Sequence, residues 1–420
     1  MVRLSGVGGS VLRRRDVRWL VVGRSVPLLG DELAVVGLTL WAYGAGWGTV
    51  GVAEMLVAAT LPLAVGAPWA GRIVDRVDSR VVTTGAAGWQ AACVLGLALA
   101  SRSDGRHLLV RVCVLGLILL LNAGQAVAGP AWQSLVPHAV DDDEVGRTVS
   151  ITQAAAGLAS VLGPALGGVL VAAFGVTTAL LADVACLLVV LLAATRVRVR
   201  RRPEPSAAEE SESLWAGARA LRADAVLGPL VLGLMAVAVF AHLILVITVF
   251  LVRDALGADE RGYGIIMAIV ATGAILGSLL AGRFDGTLAR AYAVMGATTT
   301  IAAGIVLGGL APALPFLAGA MVLFGVGQGV LSVSLQSLLL ARTPDAVRGR
   351  VVAAMIGGVQ TCTVIGMAVG GVLGTVVGPR GMFVGAGSVG LVVSLLVALR
   401  LRGSLRIEAR RETEPASADA

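Results

Sequence analysis

Asp31 lies in the middle of a long apolar stretch, where an ionised side chain costs roughly 2.5–3.5 kcal/mol on the insertion scale and so asks for a reason. A carboxylate partly withdrawn from water at that depth could load and release a proton. It could equally hold a fixed hydrogen bond or ion pair between helices, and the sequence leaves both readings open. Arg24 stands seven residues earlier, on the same helical face about 10 Å below, whereas Glu32 points roughly 100° away. Glu54 and Asp183 are further acids inside apolar stretches, where each could serve coupling or simply reach interfacial water. Arg24, Asp31, Glu32, Glu54 and Asp183 are thus the candidates for proton coupling or substrate contact. His242 carries the side chain that titrates near neutral pH, although a lone buried histidine is more often only hydrogen-bonded.

Neutral polar side chains form a second set. Asn122, Gln125, Gln133, Gln153, Gln328, Gln336 and Gln360 offer donors and acceptors that either line a central cavity or join helices to one another. The four cysteines (Cys93, Cys113, Cys186, Cys362) all fall in apolar stretches without CxxC spacing and read as structural thiols. No cofactor and no metal are expected. There is no HExxH, GxSxG or paired-aspartate arrangement for an enzyme, and no GxxxxGK[ST] loop for a nucleotide-driven motor.

The elements that must hold these residues are membrane spans. At 420 residues and 57% hydrophobic, with a mean hydropathy of +0.89, the chain lacks the polar surface of a soluble protein. Twelve apolar stretches of about 20 residues or more are predicted near 17–42, 49–70, 81–101, 107–131, 147–173, 176–196, 225–252, 261–282, 289–309, 313–340, 351–377 and 381–401. The fold class is therefore all-α, with twelve transmembrane helices. All 33 basic residues are arginine. With the N-terminus inside, about 26 fall in cytoplasmic segments, against Arg102, Arg106, Arg253, Arg261 and Arg380 outside. That distribution explains the net charge of +7 without nucleic acid and places both termini in the cytoplasm. No A-x-A-like cleavage site follows the basic amino terminus, so the first span is expected to be retained.

Composition breaks once, at 197–224, where Pro, Ser and charge precede a short amphipathic piece. This reads as a cytoplasmic linker between a first bundle, 17–196, and a second, 225–401, with a basic N-terminus at 1–16 and a polar, disordered tail at 402–420. The halves are copies: residues 124–175 match 327–378 without a gap at an offset of 203, with eighteen identities. Gln125 pairs with Gln328, Gly146-Arg147 with Gly349-Arg350, and Gly163, Gly167 and Gly168 with Gly366, Gly370 and Gly371. A duplicated bundle of membrane helices is the build of many secondary transporters.

Between the second and third spans stands Gly71-Arg72-Ile73-Val74-Asp75-Arg76-Val77-Asp78-Ser79-Arg80. This resembles the cytoplasmic signature loop of the major facilitator superfamily, G-x-x-x-D-R-x-x-R/K-R/K, with Gly71, Asp75, Arg76 and Arg80 matching. Asp78 and Ser79 depart from its usual Gly and base, and Gly282-Arg283-Phe284-Asp285 is a worn second copy. Gly30-Asp31, Pro130-Ala131-Trp132, Leu135-Val136-Pro137, Gly163-Pro164 with Gly167-Gly168, and Arg348-Gly349-Arg350 resemble the macrolide-efflux-like and siderophore-exporter-like branch.

The resemblance implies two six-helix halves in a bacterial cytoplasmic membrane. It also implies a gating latch at Gly71, Asp75, Arg76 and Arg80, with Asp285, Arg348 and Arg350 serving the second half. Gly163, Pro164, Gly167 and Gly168 would act as a helix-packing gate, although Met367 in the repeat argues that the proline is dispensable to the fold. Asn122 stands where the family's drug:proton antiporters carry an arginine, which weakens a direct carry-over of their mechanism. The expected activity is proton-coupled efflux of a hydrophobic or amphipathic small molecule, an antibiotic or a secreted metabolite, by alternating access. Importer or uniporter of a small polar solute, and non-transporting membrane receptor or scaffold, are the alternatives. The expected partners are the lipid bilayer, the small-molecule substrate and protons, with the chain working as a monomer.

Overall fold

The computed structural model describes residues 15–133, 135, 140, 142–196, 219, 227–343 and 345–413. In chain order the helices are α1 (Arg15–Gly44), α2 (Gly48–Arg76), α3 (Ser79–Ala100), α4 (Leu108–Gln133), α5 (Asp142–Phe174) and α6 (Val176–Arg196). They continue as α7 (Leu227–Phe250), α8 (Glu260–Ala281), α9 (Thr287–Gly309), α10 (Leu314–Arg342), α11 (Asp345–Val377) and α12 (Pro379–Thr413). All twelve contain a segment long and apolar enough to cross a membrane, so the twelve predicted spans are present. A wider turn, Leu251–Ala255, extends α7 past its predicted end.

One expectation fails. The tail does not break at Arg402, because α12 continues to Thr413. Residues 402–413 hold Leu, Ile, Arg and Glu, all compatible with helix, and no proline appears before Pro415. Polarity there ends the apolar span without ending the helix. The expected N-terminal segment (apart from its last two residues), most of the linker at 197–224, and residues 414–420 lie outside the described residues.

The chain divides into two compact units: α1 to α6 with Asp259–Ala268, and α7 with the rest of α8 to α12. In the first, α1 packs on α5 and α6, α3 on α4 and α6, and α2 on α4. In the second, α7 packs on α11 and α12, and α9 on α10 and α12.

Helix α1 can lie close to its neighbours because glycines recur on one face at Gly23, Gly30 and Gly37. The Trp132 indole covers Gly23 and donates from Nε1 to Leu20 O over 3.0 Å. Asp183 sits against Gly30, and Ala179 against Gly37. Leu20, Trp132, Leu135, Val190 and Ala193 close an apolar core at this end of the unit.

Candidate functional site

The candidate site grows from the middle of α1. Asp31 and Glu32, both half-buried, line a cavity of about 250 Å³. Leu28, Val35, Leu38, Met55, Leu56 and Leu121 supply its apolar wall; Gln90, Asn122 and Gln125 supply its amides. Gln90 donates from Nε2 to Gln125 Oε1 over 2.7 Å, and Gln125 donates from Nε2 to Asp31 Oδ2 over 2.9 Å. Three helices, α3, α4 and α1, are thereby joined in one donor chain ending on a carboxylate. Arg24 is an electrostatic partner of Asp31 and lines a second small cavity, also walled by Gln90 and Gln125. Asn122 donates to Ile118 O of its own helix over 2.9 Å while facing the main cavity.

Asp183 is wholly buried in α6, its carboxylate set against Gly30, the residue before Asp31. Glu54 stands apart. It is exposed on α2 and accepts two hydrogen bonds from Arg111 on α4, Nε lying 3.0 Å away. The Arg111 guanidinium in turn sits 5.2 Å from the centre of the Trp47 ring. The structure therefore brings Arg24, Asp31, Glu32 and Asp183 together and leaves Glu54 in an ion pair of its own.

The second unit has a cavity of about 320 Å³ between α7, α10 and α11, lined by Gln328, Ser332, Gln336 and Gln360 among apolar side chains. Gln328 is the repeat partner of Gln125, while the other α10 and α11 residues that line it do not pair with those of the Asp31 cavity. No charged side chain lines it among the described residues. A Cβ at Gly163 would lie 2.5 Å from Glu32 Cβ, and a Cβ at Gly366 would lie within 3.0 Å of the Val239 backbone. Backbone for backbone, Gly163 meets Leu29 O and Gly167 meets Leu33 Cα where Gly366 meets Val239 O and Gly370 meets Leu243 Cα, so the counterpart of Asp31-Glu32 is Ala241-His242. Gln153 is exposed on α5. His242 donates from Nδ1 to Ala238 O over 2.8 Å and has the Thr363 hydroxyl 3.3 Å from the same nitrogen.

The glycines of α5 are contact points. Gly163 and Gly167 face α1, while Gly168 faces the first turn of α8: a Cβ there would lie 2.7 Å from Glu260 O and 2.9 Å from Gly264 Cα. A Cβ on Gly264 would in turn lie 2.5 Å from Pro164 O. Next to it, Tyr263 is 2% exposed, hydrogen-bonds Thr39 and lies beside Glu32. Sequence reasoning missed Tyr263, because an aromatic in a span gives no sign of which helix it will meet.

At the signature loop, Asp78 caps α3 by accepting from Arg80 N over 2.8 Å. Arg80 donates from Nε to Ala194 O over 2.9 Å and from Nη2 to Thr195 O over 2.6 Å, holding the last carbonyls of α6. Arg76 ends α2 and is exposed, and Asp285 is exposed in the turn after α8. Gly71 and Asp75 in α2 and Arg348 and Arg350 in α11 have helical backbone, but their surroundings and side chains lie outside the described residues, as does the Gln133 side chain.

A family model described as a transmembrane secretion effector matches residues 12–417. A Bacillus subtilis (strain 168) protein called an uncharacterized MFS-type transporter, YfiS, is 24% identical over 418 residues, covering 95% of each chain. A POT family transporter solved with 5-aminolevulinic acid superposes with a TM-score of 0.74 at 12% identity, over 93% of this chain and 97% of that one. A bacterial homologue of the iron transporter ferroportin in its inward-facing state gives 0.71 at 14% identity, over 92% and 97%. At such identities the two solved structures speak for the fold alone.

Proposed function

Because the chain belongs to the transmembrane secretion effector family of MFS-type (major facilitator) transporters, we propose that this membrane transporter exports a hydrophobic or amphipathic small molecule in exchange for inward-moving protons, by alternating access. The observation that carries the proposal is the placement of Asp31. It is a membrane carboxylate on the wall of an apolar cavity, with one oxygen held by Gln125 and an arginine within electrostatic reach. A group so placed meets both cavity water and a desolvated interior, as proton loading and release require.

A cavity of about 250 Å³ on this wall takes a fragment of a drug-sized molecule and not the whole of it. The apolar lining suits a hydrophobic body, and the amides Gln90, Asn122 and Gln125 suit its polar groups. The branch resemblance supports outward direction. Both termini would lie in the cytoplasm of a bacterial cell, and the chain would act as a monomer.

The test is accumulation of a panel of dyes and antibiotics in an efflux-deficient bacterium carrying wild type or Asp31→Asn at matched membrane levels. The expected result is lower accumulation of at least one compound by wild type, abolished by a protonophore and by Asp31→Asn. Export that survives Asp31→Asn but not the protonophore would remove Asp31 from the coupling role. Uptake in place of export would favour an importer.

A further inference from the structure

Asp183 is 0% exposed, and neither of its carboxylate oxygens has a hydrogen-bond partner among the described residues. Its seat is built by the neighbouring helix: α1 carries Gly30 at the one point where any Cβ would overlap Asp183 Oδ1. Gly30 immediately precedes Asp31, and the two aspartates are electrostatic neighbours. Their surroundings differ sharply. Asp31 faces the cavity and accepts from Gln125, whereas Asp183 is sealed and accepts from nothing.

The charged and titratable groups around Asp183 are Asp31, with Arg24 and Glu32 beyond it on α1, and the Cys186 thiol on α6 itself. Helices α3 and α5 also pack on α6, and their charged residues lie only at their amino-terminal ends. The one cation of this set, Arg24, acts on Asp31. An ionised carboxylate without donor or cation against it is strongly disfavoured inside a protein, and two adjacent carboxylates do not both ionise.

We propose that Asp183 is a standing carboxylic acid, the fixed-proton half of an acid pair whose other half, Asp31, loads and releases the driving proton. This rests on the proton-driven reading above and adds the residue that tunes Asp31. On loading, a proton from cavity water forms an O–H bond on Asp31 and the pair becomes neutral. On unloading that bond breaks, the proton returns to water, and Asp31 carries the single charge. Asp183 keeps its O–H throughout, so it is a positioning residue and not a carrier.

The test is infrared spectroscopy on the purified full chain in lipid nanodiscs, comparing Asp31→Asn with Asp31→Asn/Asp183→Asn so that the C=O stretch of a neutral carboxylic acid at Asp183 is read apart from Asp31, at neutral and mildly alkaline pH. The expected band is present at both pH values in Asp31→Asn and disappears in the double variant. Asp31→Asn without the band, or identical spectra for the two proteins, overturns the proposal. The band needs no substrate, so it succeeds or fails independently of the export reading.

The pH profile of export supplies the second readout. Asp183→Leu, which removes the polar group beside Asp31, should shift the pH midpoint of export and reduce its rate. Asp183→Asn, which keeps a neutral polar group there, should shift it less. Identical profiles for wild type, Asn and Leu would make Asp183 a packing residue and overturn the assignment.

Discussion

Gln125 donates from Nε2 to Asp31 Oδ2 over 2.9 Å, and its repeat partner Gln328 lines a cavity with no carboxylate to receive such a bond. The duplication preserved the amide on both sides, while the acidic pair stands on one side only, with His242 at the place of Glu32. Gly163 meets Glu32 in the first unit, and Gly366 meets Val239 in the second. The same amide thus meets a carboxylate in one unit and a differently built, uncharged wall in the other.

Gln125→Leu should therefore impair function more than Gln328→Leu. The first removes the donor to Asp31 Oδ2 and the acceptor for Gln90, in a setting where such a bond contributes about 0.5–2 kcal/mol. The second removes an amide from an uncharged wall. Export at matched protein levels and thermal unfolding in detergent would check both. Equal losses would mean that the two glutamines serve helix packing alike, and that the bond to Asp31 is incidental.

Glu54 gives the complementary expectation. Its partner Arg111 is drawn off by Trp47, and the pair is substantially exposed, with side-chain exposures of 29% for Arg111 and 43% for Glu54. A double-mutant cycle with Glu54→Gln and Arg111→Gln should return a coupling of only about 0.2–1 kcal/mol. Under the proposed proton-driven export, transport should remain protonophore-sensitive in Glu54→Gln. Loss of proton dependence in that variant, with protein level unchanged, would return Glu54 to the coupling candidates.

Arg80 shows how far a motif reads without geometry. Its fork spans two carbonyls at the end of α6, where a cation also complements the helix dipole. Arg80→Lys keeps the charge but cannot make both bonds, and should lower stability by about 1 kcal/mol. Arg80→Ala should lower it further. If the residue serves mainly as this brace, lost transport in both variants should track lost folded protein. Full protein levels with abolished transport would instead favour the gating role that the loop motif implies.

Much of this architecture is legible in the residues themselves. Apolar runs long enough to span a bilayer can only be helices there, so twelve spans followed from hydropathy, and the offset of 203 divided them into halves. Asp31, Glu32, Gln125 and Gln328 stood out because a polar group in a span is costly wherever it points. What could not be read was direction. Nothing in the spacing of α6 says that Asp183 meets Gly30 and not lipid, or that Tyr263 meets Thr39, because those facts depend on the rotation of one helix against another. The α1 glycines at 23, 30 and 37 were an available signal, since small residues seven apart mark a face meant for close approach. Polarity misled at α12, where it marks the end of the membrane and not of the helix.

The same directional argument makes the repeat testable through glycine. A Cβ at Gly366 would lie within 3.0 Å of the Val239 backbone, an approach that no side-chain rotation relieves, so α7 and α11 must separate to admit it. Gly357, nine residues earlier on the same helix, has nothing within 4 Å of its Cβ position. Gly366→Ala should cost about 1–3 kcal/mol, as overpacking a tight contact does. Gly357→Ala should be neutral or slightly stabilising, within about 1 kcal/mol, because alanine is the better helix former. Gly163→Ala adds a third point. Its clash is chiefly with the Glu32 side chain, so its effect should fall on transport as well as on unfolding temperature. Matched thermal unfolding of the three variants decides it. Equal destabilisation by Gly366→Ala and Gly357→Ala would mean that the α7–α11 approach is looser than these positions imply. A Gly163→Ala protein transporting at full rate would detach the α1–α5 contact from Glu32.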